Sequence, residues 1–278
     1  MVIIFSRIPD NKELQKLFIF LTEIGADYIE AKINGSLYWI LKKDLTDGEK
    51  SQLIESFSFI DKIQSISGPF KLVSSELKKD ASVIAVGDQL IGDGGFNIAA
   101  GPCAIESEEQ IFSTAKTVSE LGIPFLRGGA FKPRTSPYSF QGLQEEGLKL
   151  IRQAADEYGL LVVTEVMDNE LIDLVSQYSD ILQVGSRNMQ NYYFLKKLGE
   201  AKKPILLKRG MSASITEWLL AAEYIVLNGN EQVILCERGI RTFDDIVRNT
   251  MDIAAIALIK ELSHLPVWAD PSQGTGVR

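Results

Sequence analysis

The sequence predicts an α/β chain in which a small, mostly antiparallel unit precedes a barrel of alternating strands and helices, and three observations carry that reading. Residues 1–66 run strand, helix, strand, strand, helix, strand. From residue 97 onward seven short apolar runs recur, separated by helical patterns with polar faces, which is how a parallel sheet covered by helices reads. Six of these seven runs end at or near a charged residue, and four of them carry a cation there. The C-terminal ends of parallel strands are where barrels and open α/β sheets place their chemistry.

The first unit is read as strands at 2–6, 27–33, 36–42 and 59–65 with helices at 11–24 and 47–57. Two alternating runs flank Asn34-Gly35, the dipeptide of a two-residue hairpin turn that needs positive φ at both positions. The βαββαβ order makes residues 1–66 a ferredoxin-like domain. It has no His, no Cys and no cluster of basic residues, so a regulatory or interface role is expected of it. Its open sheet face makes a homo-oligomer, dimer or tetramer, the expected state.

Residues 67–96 form a linker and a small β-hairpin around Gly87-Asp88, placed to plug the bottom of a barrel. Residues 97–278 supply strands at 97–100, 123–126, 160–165, 181–184, 204–208, 232–236 and 266–270. An eight-stranded (β/α)8 TIM barrel fits this alternation best, at ~250 residues for a typical complete example. The pattern stops after the seventh strand, and an open edge would leave backbone groups unpaired. The expectation is a barrel whose C-terminal part is missing from this chain or supplied by something else.

Composition narrows the function. With 29 Lys plus Arg against 37 Asp plus Glu, the net charge of −8 argues against nucleic acid or an anionic membrane as partner. The start has neither a basic n-region nor a long apolar run, and no later stretch approaches the ~20 residues of a membrane span, so a cytoplasmic location is expected. Cys103 and Cys236 are far apart and outside any CxxC pattern, which indicates neither a disulfide framework nor a structural zinc site.

Against that acidic background, RGGAFKPRTSPYSFQG at 127–142 concentrates Arg127, Lys132 and Arg134 in one loop after a strand, an arrangement suited to holding anions. The other strand ends carry Cys103, Glu165, Arg187, Lys208 with Arg209, Arg238 and Asp270. Arg offers a forked donor to carboxylate or phosphate, and Lys a compact charge that can also donate a proton. There is no GxxxxGK loop and no GxGxxG after a strand, so nucleotide binding has no support. Cys103 reads as a small buried hydrophobe, a metal ligand or a thiolate nucleophile, and the residues alone leave these open. His264, the single histidine, precedes the seventh strand at the end opposite the cations and is assigned a structural role, and Cys236 a core one.

GPCAIES, LRGGAFKPRTSPYSFQGL, VGSRNMQN, LLKRG, ILCERGIRTF and HLPVWADPS together resemble the 3-deoxy-D-arabino-heptulosonate 7-phosphate (DAHP) synthases, which open the shikimate pathway to aromatic amino acids. The N-terminal unit resembles the regulatory domain of one subgroup, in which an aromatic amino acid is the feedback effector. The resemblance implies condensation of phosphoenolpyruvate with erythrose 4-phosphate. It implies that Arg127, Lys132, Arg187, Lys208 and Arg238 hold phosphoenolpyruvate, with Arg127 and Lys132 catalytic and Lys132 assisting proton transfer. It assigns Arg134 and Thr135 to the erythrose 4-phosphate phosphate, and Cys103 to a divalent metal, Mn, Fe, Co or Zn. The sister octulosonate-phosphate synthases share the barrel and the phosphoenolpyruvate site, but KPRTS favours erythrose 4-phosphate here. Two departures stand out: Gln273 occupies the position of a metal-binding His in the family's DPSH, and the family's two carboxylate ligands lie beyond the seventh strand. They motivate a competing reading, a non-catalytic sensor of phosphoenolpyruvate or an aromatic amino acid.

Overall fold

Six elements build the N-terminal sheet: β1 (Val2–Phe5), α1 (Asn11–Glu23), β2 (Tyr28–Ile33), β3 (Ser36–Leu41), α2 (Asp47–Ser56) and β4 (Ile60–Gln64). The strands order as β2-β3-β1-β4, with every pairing antiparallel. Both helices start on reciprocal caps, Asp10 with Glu13 and Thr46 with Glu49, each worth on the order of 1 kcal/mol. The β2–β3 connection is two residues long, with Ile33 opposite Ser36 and Gly35 at φ 76°. Asn34, the other half of the expected turn, lies outside the described residues. The protein is described here by a computed structural model covering residues 1–33, 35–134, 136–244 and 246–274.

The rest of the chain alternates. A hairpin of β5 (Ile84–Val86) and β6 (Gln89–Ile91) comes first. Then follow β7 (Ala99–Ala100), α3 (Glu108–Glu120), β8 (Phe125–Arg127), α4 (Gln144–Tyr158), β9 (Leu161–Val166), α5 (Ile172–Tyr178), β10 (Ile181–Val184) and α6 (Tyr192–Leu198). The series ends with β11 (Ile205–Lys208), α7 (Ile215–Leu227), β12 (Val233–Glu237), α8 (Ile253–Leu262) and β13 (Val267–Ala269). Strands β7 to β13 form one parallel sheet in chain order. The sheet curls: Phe125 of β8 meets Trp268 of β13 edge-on at 5.5 Å, although four strands separate them. Where eight strands closing on themselves are expected, the described residues form a seven-stranded arc whose edges, β7 and β13, do not pair. Closure needs a strand number consistent with tilt and stagger, and among the described residues the two edges of the arc stay unjoined.

Period-two alternation sorts the side chains of the arc. Outward residues such as Leu126, Val162, Leu182, Leu207 and Leu235 pack on the helices. Inward ones, Phe125, Val163, Ile181, Leu206 and Ile234, pack on Ile84, Val86 and Ile91, so the β5–β6 hairpin fills the arc from below. Helix α7 is apolar nearly all round because it lies between two sheets: Ala31 and Ile33 of β2 share its hydrophobic cluster with the arc.

The segment joining the two sheets is stitched to the underside of the arc. Glu223 of α7 accepts the backbone N–H groups of Lys71, Leu72 and Val73 at 2.9, 2.8 and 3.0 Å. Ser263 donates to the Val73 carbonyl, and His264 Nε2 donates to the Leu72 carbonyl at 2.9 Å. The other imidazole nitrogen, Nδ1, lies 2.8 Å from the Ser82 hydroxyl, which itself receives Lys78 Nζ. His264 thus has the structural place expected of it. Among the described residues, no helix is long and apolar enough to cross a membrane.

Candidate active site

Along each inward face an apolar residue is followed, two positions later, by a polar or charged one. The pairs are Phe125 and Arg127, Val163 and Glu165, Ile181 and Gln183, Leu206 and Lys208, Cys236 and Arg238, Trp268 and Asp270. The first member of each lies on the inner side of the arc, buried except for the partly exposed Trp268, and the second at the C-terminal mouth. A cavity of about 850 Å³ runs past Arg127, Gln183, Lys208, Cys236 and Asp270 and emerges between the two edge strands.

Glycines let the loops of the mouth approach each other. A Cβ on Gly101, at φ 147°, would sit 1.9 Å from the Arg127 carbonyl oxygen, so the end of β7 can lie against β8 only without a side chain. Gly129 likewise leaves room for Lys132, which folds back to donate to the Cys103 carbonyl at 2.8 Å with its Nζ 3.4 Å from Cys103 Sγ. Lys132 is buried and Cys103 exposed. Burial pushes the Cys103 thiol up, but the charges of Lys132 and Arg127 outweigh it and draw it below the ordinary thiol range. Arg127 donates to the Pro102 carbonyl at 3.2 Å.

On the other side of the mouth Lys208 contacts Asp270 at 2.5 Å. Burial would push the Asp270 carboxyl up, but Lys208 and a second bond from Ser272 hold it down at about 2, so the carboxyl stays ionised. Gln183 donates to Glu165 at 3.3 Å. Arg238 is 5 % exposed and donates from Nη1 to the Gly239 carbonyl and Asn249 Oδ1, both at 3.1 Å, and from Nη2 to Gln273 Oε1. Among the described residues, its Nε is buried with no hydrogen-bond partner.

Arg127 and Lys208 therefore line the cavity, Arg238 follows the inward Cys236 just past the end of β12, and Lys132 lies in the loop after β8. Arg134 and Arg187 are exposed at the rim. Arg134 donates to the Phe140 carbonyl at 3.2 Å, whereas Arg187 makes no hydrogen bond or ion pair with any described residue. Thr135 lies outside the described residues. Arg209, grouped with Lys208 by sequence, belongs elsewhere. One residue further along an alternating strand, it faces out to bind Glu237 at 2.8 Å and Asp252 at 2.9 Å, beneath Trp218. Gln183 and Asn249 were not anticipated. The period of two would have exposed Gln183, but no local signal marks Asn249.

Of the metal ligands that the resemblance implies, Cys103 is present but has an ammonium 3.4 Å from its sulfur, and the Gln273 oxygen is taken up by Arg238. Among the described residues, no group of three or more His, Cys, Asp or Glu side chains could hold an ion. The described donor set does not fit a divalent metal.

Comparison with known proteins places these features in a family context. The profile of the DAHP synthetase I family matches residues 72–278. The phospho-2-dehydro-3-deoxyheptonate aldolase of Thermotoga maritima is 51% identical over 224 residues, which is 81% of this chain and 66% of that protein. The crystal structure of the DAHP synthase from Thermotoga maritima superposes with a TM-score of 0.74 at 42% identity, covering 98% of this chain and 79% of that one. More distant is the 2-dehydro-3-deoxyphosphooctonate aldolase of Acidithiobacillus ferrooxidans, 34% identical over 151 residues, 52% of this chain and 54% of that protein. The chain thus spans just under two thirds of the first of these curated relatives and about half of the second.

Proposed function

The chain belongs to the DAHP synthetase I family, and we propose on that premise that its mouth condenses phosphoenolpyruvate with erythrose 4-phosphate and releases phosphate, the entry step to aromatic amino acids. The observation that carries this reading is the convergence of Arg127, Lys208 and Arg238 on one end of the arc, beside a buried Lys132, in a chain of net charge −8. Two phosphorylated anions repel each other in water, and a local concentration of cations overcomes that repulsion while aligning the reacting carbons. Such positioning is worth up to about 7 to 11 kcal/mol in favourable cases.

In the reaction, C3 of phosphoenolpyruvate forms a bond to the aldehyde carbon of erythrose 4-phosphate. The aldehyde oxygen takes up a proton, for which Lys132 is the donor. Water adds at C2, and the C2–O bond breaks so that phosphate departs with the bridging oxygen, leaving a ketone at C2. Arg127, Lys132, Arg187, Lys208 and Arg238 hold the phosphoenolpyruvate, while Arg134 and Thr135 hold the acceptor phosphate. Since the described donors do not fit a divalent ion, no step here runs through one.

The architecture behind this reading is a (β/α)8 barrel of which residues 97–278 supply the seven-stranded arc, incomplete after the seventh strand. A linker and hairpin at 67–96 and a ferredoxin-like unit at 1–66 precede it, the latter taking an aromatic amino acid effector in a homo-oligomer. Phosphate release from the two substrates, with and without Mn, tests the activity. Release that requires erythrose 4-phosphate supports it. Release with arabinose 5-phosphate in its place favours the octulosonate chemistry of the more distant relatives, and binding without turnover favours a sensor.

A further inference from the structure

The departure at Gln273 has a partner in the structure. Arg238, Asn249 and Gln273 close a triangle: Arg238 Nη1 donates to Asn249 Oδ1, Arg238 Nη2 donates to Gln273 Oε1, and Asn249 Nδ2 donates to the Gln273 backbone carbonyl at 3.3 Å. Guanidinium has donors only, so the Gln273 amide must present its oxygen. The triangle ties together the end of β12, the segment leading to α8 and the loop after β13. Close packing fixes the same geometry independently. A Cβ on Gly239, at φ 91°, would lie 3.1 Å from Asn249 Cβ and 3.2 Å from Gly274 Cα, and one on Gly274 would lie 3.0 Å from Met251 Cβ.

A count of the Arg238 donors shows what the triangle achieves. Guanidinium carries five N–H groups. Both on Nη1 are used, by the Gly239 carbonyl and Asn249, and one on Nη2 is used by Gln273. Among the described residues, that leaves one N–H on Nη2 and the N–H of Nε, which is buried without an acceptor. These two sit on adjacent nitrogens, the pair that grips a carboxylate or phosphate through two parallel bonds. A buried unsatisfied donor costs about 1–3 kcal/mol, a penalty that an arriving anion removes.

We propose that Gln273 is a positioning residue for Arg238: its amide oxygen, with Asn249, holds the guanidinium so that the Nε and Nη2 donors receive an anionic substrate, and this role needs no divalent ion. The assignment rests on the function proposed above. It differs from the ligand role implied for this position by the family pattern, since a divalent ion on that oxygen would sit against the positive charge of the Arg238 guanidinium.

The test is phosphoenolpyruvate binding to the full chain by calorimetry, in EDTA and in Mn, for the unaltered protein, Gln273→Ala, Arg238→Ala and the double variant. The unaltered chain is expected to bind about equally in both buffers. Gln273→Ala should weaken binding about tenfold, the scale of a hydrogen bond to a charged group, with a melting temperature of the free protein little changed. In the Arg238→Ala background the same substitution should do nothing more, because its effect passes through Arg238. A purely structural glutamine would instead weaken binding equally in both backgrounds, which overturns the proposal, as does binding only in Mn. Normal binding by Gln273→Ala also overturns it while leaving the proposed function intact. Absence of binding by the unaltered chain in either buffer counts against that function itself. If the alanine variant melts early, Gln273→Met keeps the length, loses the oxygen and makes the same comparison.

Discussion

Buried polar groups at the two ends of the curled sheet can be compared by how far the protein itself satisfies them. On the underside, Glu223 is saturated by three backbone amides, and His264 has a partner on each nitrogen. At the mouth, Arg238 keeps an orphaned buried donor, Lys132 leans on a thiol, and Arg187 has no described partner at all. Charge alone therefore does not locate the site. Arg209 is as buried as Arg238 and one strand away, yet two carboxylates consume it and it serves the fold. Arg152, beside the N-terminal ends of β9 and β10, also keeps a buried Nε without a described acceptor, so a leftover donor points to a ligand only together with its place at the mouth.

The largest expected effect sharpens the contrast at the mouth. Lys132→Ala should lower kcat for phosphate release by roughly 10² to 10⁴, the usual scale for a positioned proton donor, with little change in melting temperature. Glu223→Ala should do the reverse. Leaving three linker amides without their acceptor should cost about 2 to 3 kcal/mol in denaturant unfolding, with kcat close to that of the unaltered chain. If Glu223→Ala instead abolished turnover, the division of labour between the two ends would break.

A smaller, more selective effect is expected at the rim. Arg134→Ala should raise KM for erythrose 4-phosphate about tenfold or more, and that for phosphoenolpyruvate far less, so equal changes in both would remove Arg134 from the acceptor site. The smallest effect separates the two ends by pH. Burial holds the His264 pKa below its ordinary value, so the unfolded chain binds the proton more readily. The stability it confers is lost as pH falls below the unfolded value near 6.5. Asp270 is also depressed, to about 2, but as a carboxylate. Its contribution is full above about pH 4 and lost only as pH falls from there toward 2. Melting followed from pH 8 to 3 should show the underside loosening first, and His264→Gln should flatten the upper part of that curve. A flat response in the unaltered chain between pH 7 and 5 would show that His264 is not the sensitive group.

Most of the arc was legible in the sequence because its signals are local. Apolar runs of four to six residues, caps such as Ser214 with Glu217, and charged residues two positions beyond inward apolar ones each sit within one element. The contacts that decide function at the mouth are not local. Gln273 meets Arg238 across 35 positions of chain, and on the underside Glu223 meets Lys71 across 152, so no window on the sequence contains both partners. The same limit explains Arg209: the LLKRG run presents two adjacent cations, and only the register of β11 against β12 tells which one faces inward. An eighth strand was expected from the arithmetic of barrels, a property of the closed fold and of no residue in the chain.

The edge-on meeting of Phe125 and Trp268 has an optical consequence. Of three tryptophans, Trp39 and Trp218 are sealed in their cores, at 1 % and 0 % exposure, with indole N–H groups bonded to Glu30 and the Leu207 carbonyl. Neither of them lines the cavity. Trp268 is partly exposed, lines the cavity and spans the arc to its opposite side, so any occupant that widens or narrows the curl alters its surroundings first. The chain thus carries an unlabelled ruler of its own curvature, readable in a fluorimeter.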